Sequence, residues 1–269
     1  MTIAAAFICN DGVLLGADTE ITYSDFSKAY ESKILDIHHN VDLYLTYAGS
    51  PYFVREIIES VKKTLGLLHN PVDIKPSPDE CFDLLCREYQ AAYEREQQKP
   101  QEEAILTELL VAVRRDMHHL FKAEYEYRTT VYHLTGKNTT PIDRYAVIGI
   151  GRDAARTLFD PLYQKFSLTT ESAFAMINAI RRTKASVPGC GGSSNILTIR
   201  NNGDWPISEI GQDEIKQIEA DQNFLDENLR SLYEWVPSSI SDEGFEHNFN
   251  VLKRRITERR SQANRLKIP

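Results

Sequence analysis

Cysteine is scarce in this chain, and Cys9, Cys81, Cys86 and Cys190 never form a CxxC pair. A chain of 269 residues buries a sizeable core without covalent staples, so reduced thiols are expected rather than disulfides. Long apolar runs are missing as well. No stretch approaches the roughly 18 apolar residues of a membrane span, and the opening apolar run is short and lacks the basic flank of a signal peptide. There is no excess of positive charge: the formal net charge is −8, which gives no general attraction to nucleic acid. The pairs His38-His39 and His118-His119 lack metal-ligand spacing, and Gly189-Cys190-Gly191-Gly192 lacks the lysine of a phosphate loop. Repeats and low-complexity tracts are absent too. These absences leave the expectation of a cytoplasmic globular protein with no metal, no cofactor, no membrane partner and no nucleic-acid partner.

What is present is concentrated at the start. Two apolar runs, Ile3 to Cys9 and Val13 to Ala17, flank Asn10-Asp11-Gly12. Asp-Gly between short apolar runs predicts a hairpin, with Gly12 supplying the positive φ of the turn. Neither run alternates, so both faces of the strands are expected to be covered. The hairpin returns the chain to its origin and brings the Asp18 carboxylate within reach of Thr2. Met1 precedes a small residue and is expected to be trimmed, which leaves Thr2 with a free α-amine. A hydroxyl and an amine on one residue make a self-contained nucleophile and base.

Further along, Ser32 to Ile37 and the alternating Val41 to Ala48 read as strands, and Pro51 opens a helix to about Leu68. Ser77-Pro78-Asp79-Glu80 is a well-formed start for a second helix, running to about Glu96. Ile105 to Val113, His118 to Glu126 and Thr129 to Leu134 are predicted strands. Gly136 to Pro141 is a predicted loop, and Arg144 to Ile148 a short buried strand. Two helical patterns follow Gly151, to about Phe166 and about Thr183. A glycine-rich loop then feeds a strand at Asn195 to Arg200, and Asn201 to Asp204 is a hairpin turn. Beyond Gly211 the chain is helical and charged, ending in a basic run that reads as a solvated helix. Strands grouped apart from helices predict an α+β fold with antiparallel pairing, and domains at 1–211 and 212–269.

Thr2, the Asp11-Gly12 turn, Gly16-Ala17-Asp18, Thr22, Ser32-Lys33-Ile34 and Tyr47-Ala48-Gly49 together resemble the opening of a proteasome β-type subunit, including its bacterial relative, the HslV peptidase. Gly149-Ile150-Gly151 and Gly191-Gly192 resemble later landmarks of that family. The likeness spans roughly residues 2 to 210. It implies the N-terminal-nucleophile hydrolase fold, a four-layer αββα sandwich, here with a helical C-terminal extension. It also implies a threonine-type endopeptidase in which Thr2 attacks, Asp18 orients Lys33, and the Gly49 N–H stabilises the oxyanion. Thr22 would pair with substrate backbone, and Ile21, Leu35 and Tyr47 would line the first specificity pocket. The implied partners are a peptide or unfolded protein substrate, other copies of the chain in a ring or ring-like assembly, and an ATP-dependent unfoldase.

A free α-amine has a pKa of roughly 7.7–8.0, so an appreciable fraction is neutral near pH 7, and a neighbouring lysine cation lowers it further. The chain departs from the family in the residues that handle the amine proton. Ile150 stands where a serine is usual, and Val187 and Cys190 stand where an Asp and a Ser are usual, with Asp153 or Ser186 as the candidate substitutes. That departure suits a slow or specialised peptidase or an inactive or weak structural subunit, and an amidohydrolase acting on a small amide is a further alternative.

Overall fold

The computed structural model describes residues 2–23, 27–38, 41–66, 76–99, 106–117, 127–163, 167–202, 206–235 and 241–263. The expected strand at 118–126 and the tip of the hairpin at 203–205 lie outside the described residues. The chain divides into two compact units, Met1–Ile215 and Lys216–Pro269.

In the first unit, β1 (Ile3–Cys9) and β2 (Gly12–Asp18) form the predicted hairpin. Their register places Cys9 opposite Gly12, so Asn10 and Asp11 make the turn. Gly12 is therefore the first strand position rather than the turn itself. A side chain there would run into the Ile199 carbonyl of the neighbouring strand, so close backbone approach is what demands glycine. Asp11 also holds the start of a distant helix, because its carboxylate accepts the Thr169 N–H at 2.8 Å and the Thr169 hydroxyl at 2.9 Å.

The hairpin sits in the middle of a five-stranded sheet of order β10-β1-β2-β11-β12, with β10 (Tyr145–Gly149), β11 (Ser194–Arg200) and β12 (Ile207–Glu209). A second five-stranded sheet has the order β5-β6-β7-β8-β9: β5 (Ile34–His38), β6 (Val41–Ala48), β7 (Glu108–Asp116), β8 (Tyr127–Thr135) and β9 (Asn138–Ile142). All these pairings are antiparallel. A small two-stranded sheet, β3 (Glu20–Thr22) and β4 (Lys28–Tyr30), follows directly on β2. Strand β9 occupies most of the stretch expected to be a loop. Gly136 takes a φ of +58° in the tight turn before it, and Thr139 and Thr140 then pair with Leu134 and His133.

The two sheets face each other through small and aliphatic side chains. Ala4, Ala6, Leu15 and Ala17 pack toward Tyr44, Ala48, Leu110 and Ala112. The outer face of the second sheet is covered by α1 (Pro51–Thr64) and α2 (Pro78–Gln97), whose Phe53, Ile57, Phe82 and Leu85 join Leu43, Tyr47 and Val111 in one core. α2 begins at the N-cap the sequence promised, which is closed into a capping box: Ser77 accepts the Glu80 N–H, and Glu80 accepts the Ser77 N–H. The outer face of the first sheet is covered by α3 (Arg152–Leu162) and α4 (Thr169–Ser186). Phe7 anchors that side, edge-on to Phe159 at 4.7 Å and Tyr163 at 5.5 Å. The layers are thus helix, sheet, sheet, helix, which is the sandwich expected. Full coverage of both faces is why β1 and β2 do not alternate.

The second unit holds most of α5 (Gln212–Trp235) and α6 (Asp242–Ala263), in which Phe245 and Phe249 stack one turn apart at 6.3 Å. Among the described residues no helix is long and apolar enough to cross a membrane.

Candidate active site

Five strand ends converge at one edge of the sandwich. Thr2 precedes β1, Asp18 ends β2, Lys33 precedes β5, Gly49 follows β6, and Gly149 ends β10. Thr2, Asp18 and Lys33, far apart in sequence, are in mutual hydrogen-bond contact. They are 3%, 0% and 1% exposed, so little bulk water competes with their interactions.

The Asp18 carboxylate is fully partnered. Its Oδ1 accepts the Thr2 hydroxyl at 2.8 Å, the Ile3 N–H at 3.1 Å and Lys33 Nζ at 2.6 Å, while Oδ2 accepts the Gly191 N–H at 2.8 Å. Backbone donors from both ends of the domain therefore fix the acid before it orients anything else. Lys33 Nζ donates to Thr2 Oγ1, to Asp18 Oδ1 and to the Glu20 carbonyl at 2.5 Å. Three acceptors match the three N–H bonds of an ammonium group, so the lysine is aimed at the threonine oxygen with no donor left over. Burial lowers the Lys33 pKa from its ordinary value, against the opposing pull of Asp18.

The turn after β10 closes over Thr2. Gly151 N–H points at the Thr2 carbonyl at 3.5 Å, and Gly149, at φ +93°, lies so close to that carbonyl that any side chain would collide with it. Gly49 has a φ of +125°, and a Cβ there would lie 2.6 Å from Thr107 Oγ1 and 2.8 Å from the Leu106 carbonyl. Thr107 Oγ1 in turn accepts the Ser50 N–H at 3.0 Å. Thr2, Gly49, Thr107 and Gly149 all line one cavity of about 700 Å³, which extends past Glu108, Ile150 and Arg152 toward Tyr93 and Lys137.

The other residues singled out from the sequence are placed differently. Ile21 is buried, and Tyr47 lies in the core under α1 with its hydroxyl donating to Glu31 at 3.0 Å. Leu35 packs against the same core, and Thr22 donates to Glu20 at 3.3 Å. None of these four is in the lining of the cavity that contains Thr2. Cys190 is buried beside Gly151, and burial, then the Asp18 charge, push its thiol up to about 12. It is a neutral packing group at physiological pH. Asp153 is exposed in the first turn of α3, and the Ser186 hydroxyl bonds back to the Arg182 carbonyl, so neither is joined to Thr2. Cys9, Cys81, Cys86 and Cys190 are free thiols. Among the described residues no group of three or more His, Cys, Asp or Glu could hold a metal ion.

Several participants were not legible in advance. The Glu20 carbonyl and the Gly191 N–H act through the backbone, which carries no residue-type signal, although the double glycine marked the loop. Thr107, Glu108 and Arg152 come from a strand start and a helix start that nothing in the sequence links to Thr2.

The family model for proteasome subunits matches residues 2–188. A search of curated proteins returns no match. Among solved structures, the Gly-1 mutant of Anbu from Hyphomicrobium sp. strain MC1 superposes with a TM-score of 0.66 at 14% identity, over 88% of this chain and 100% of that one. Anbu from Yersinia bercovieri, described as an ancestral beta-subunit, superposes with a TM-score of 0.65 at 12% identity, over 89% and 100%.

Proposed function

Because the chain belongs to the proteasome subunit family, we propose that it is a threonine-type endopeptidase whose nucleophile is Thr2, exposed by removal of Met1. The observation that carries this reading is the buried contact of Thr2 with Lys33 and Asp18 at the wall of a cavity that Gly49 also lines.

On this reading the freed α-amine of Thr2 takes the proton of its own hydroxyl, and the oxygen attacks a peptide carbonyl. The Lys33 ammonium stabilises negative charge on the Thr2 oxygen, and Asp18 keeps that ammonium charged and aimed. The Gly49 N–H receives the oxyanion, an interaction of about 2.7–4 kcal/mol in related chemistry. The α-ammonium then protonates the leaving amine, and water releases the acyl group from the ester. Ile21, Leu35 and Tyr47 lie outside the lining of the Thr2 cavity, so any part they take in selecting the side chain before the cut bond would be exerted from behind that lining, with Thr22 pairing with substrate backbone. A preference for small or apolar side chains at that position is part of the same reading. The family relation supports a ring-like assembly of copies enclosing the sites, with an ATP-dependent unfoldase as the feeding partner and unfolded protein as the substrate. Residues 212–269 would form a separate helical extension.

The test is the intact mass of the purified protein before and after a threonine-directed β-lactone or epoxyketone, with a fluorogenic peptide panel. Loss of Met1, one covalent adduct on Thr2, and turnover abolished by Thr2→Ala are expected. Retained Met1 with neither adduct nor turnover would instead establish the structural subunit, which Ile150 in the usual serine position favours. Turnover of free amides without peptide cleavage would establish the amidohydrolase.

A further inference from the structure

The cavity beside Thr2 has a charged wall that the proposed chemistry does not use. Glu108, the first residue of β7, sits opposite Ala48 in the ladder, and its carboxylate points across to the other sheet. There it accepts from Arg152 Nη2 and, at 3.5 Å, from the Gly149 N–H. His133 Nε2 lies 3.4 Å from Glu108 Oε1, near enough for an ion pair when protonated but without a hydrogen bond. The Glu108 side chain is only 15% exposed. Burial pushes its carboxyl up, but His133 and Arg152 outweigh that and hold it below the usual carboxylate range. The acid is thus partly buried and already paired.

The cations on the same wall are the open groups. The Arg152 side chain is 36% exposed, and Lys137 is 70% exposed and pairs with the exposed Glu94 at 3.2 Å. Arg152 donates to Glu108 through Nη2 and its Nε is buried, so the exposed part of the guanidinium is what faces the cavity. A guanidinium carries five donors in a rigid fork, and one that is partly exposed at an open cavity is suited to a second carboxylate. With a net charge of −8 the molecule as a whole repels anions, so any such preference has to be local.

We propose that this cavity binds a carboxylate of the peptide, either an acidic side chain near the reacting carbonyl or a free C-terminus, with Arg152 as its main contact and Lys137 as a second, exposed one. This deepens the peptidase reading and rests on it, because the cavity is the one that Thr2 lines. Glu108 sets the Arg152 fork in place, and Ile150 and Leu106 supply apolar contact to the neighbouring chain atoms.

The test measures binding without turnover. The Thr2→Ala protein is titrated with three fluorescent peptides of one length: an acidic side chain with an amidated end, a neutral side chain with a free carboxylate, and a neutral side chain with an amidated end. One of the two carboxylate peptides should bind at least about tenfold tighter than the neutral amide, which identifies the source of the charge. Arg152→Gln should remove most of that difference, and Lys137→Gln should reduce it only about two- to threefold, as expected of an exposed charge. Equal binding of all three peptides, no binding of any, or a preference that survives Arg152→Gln would overturn the proposal. Wild-type cleavage of the same peptides is scored separately, so failure of the peptidase reading and failure of the carboxylate site give different results.

Discussion

Asp18 Oδ2 accepts the backbone N–H of Gly191 at 2.8 Å, a bond between residues 173 positions apart in the chain. It joins the acid of the proposed site to the glycine-rich loop after α4, and so makes that loop part of the machinery rather than a connector.

Gly191 is confined from the other side. A methyl group there would collide with the Glu20 carboxylate, whose residue also lends its carbonyl to Lys33. Gly191→Ala is expected to cost about 1–3 kcal/mol through overpacking and to lower labelling of Thr2 by a β-lactone. Thermal unfolding and labelling rate check the two effects separately, and an alanine variant with wild-type values in both would break the link drawn here.

Lys33→Met removes one partner of a buried ion pair. Asp18 keeps the Ile3 and Gly191 N–H bonds, so the loss should fall near the lower end of the roughly 3–5 kcal/mol typical of such breaks. Peptide turnover should fall to background while the fold persists by circular dichroism.

The same lysine gives a signed pH dependence. Its folded pKa is lowered, mainly by burial, from an ordinary value of 10.5. A depressed lysine costs stability while it is charged, so the cost is present below the folded pKa and is relieved as pH rises from there to 10.5. The unfolding midpoint of the wild type should therefore gain on that of Lys33→Met across that window. A gap that narrows instead would show that the lysine is not desolvated in solution.

Gly49→Ala meets both a strained φ and a tight wall, with Thr107 Oγ1 2.6 Å from the new carbon. A destabilisation of about 1–3 kcal/mol is expected. Alanine keeps the N–H, so if that group is the oxyanion donor kcat should also fall as far as the strained backbone displaces it, up to the about 10²- to 10³-fold that loss of a donor costs. A variant that is destabilised but fully active would mean that the strain does not reach the N–H.

Ile150 is 54% exposed at the cavity wall. Ile150→Ser should change stability by no more than about 0.5 kcal/mol, and if the hydroxyl it adds to the cavity wall that Thr2 also lines assists transfer of the amine proton, turnover should rise at least about tenfold. Unchanged turnover would mean that proton transfer does not limit the reaction.

Local chemistry carried much of this protein's design into view. The Asp11-Gly12 hairpin, the Ser77-Pro78-Asp79-Glu80 helix start and the grouping of strands apart from helices follow from short-range sterics, capping and pattern, which reside in neighbouring residues. The contact of Thr2 with Asp18 was also legible, because a two-residue turn between equal strands fixes which positions face each other. Other features were decided by residues distant in sequence. Gly12 is required by Ile199, Asp11 caps a helix that begins at Thr169, and the Glu20 carbonyl and Gly191 N–H complete the surroundings of Lys33 and Asp18. The Glu108–Arg152 pair exists only because two sheets stack and bring a strand start against a helix start. The sequence by itself determined the strands, the helices and the identity of the polar groups. Which of those groups meet was left to packing between layers, since backbone donors and cross-sheet contacts leave no mark on the local pattern of residue types.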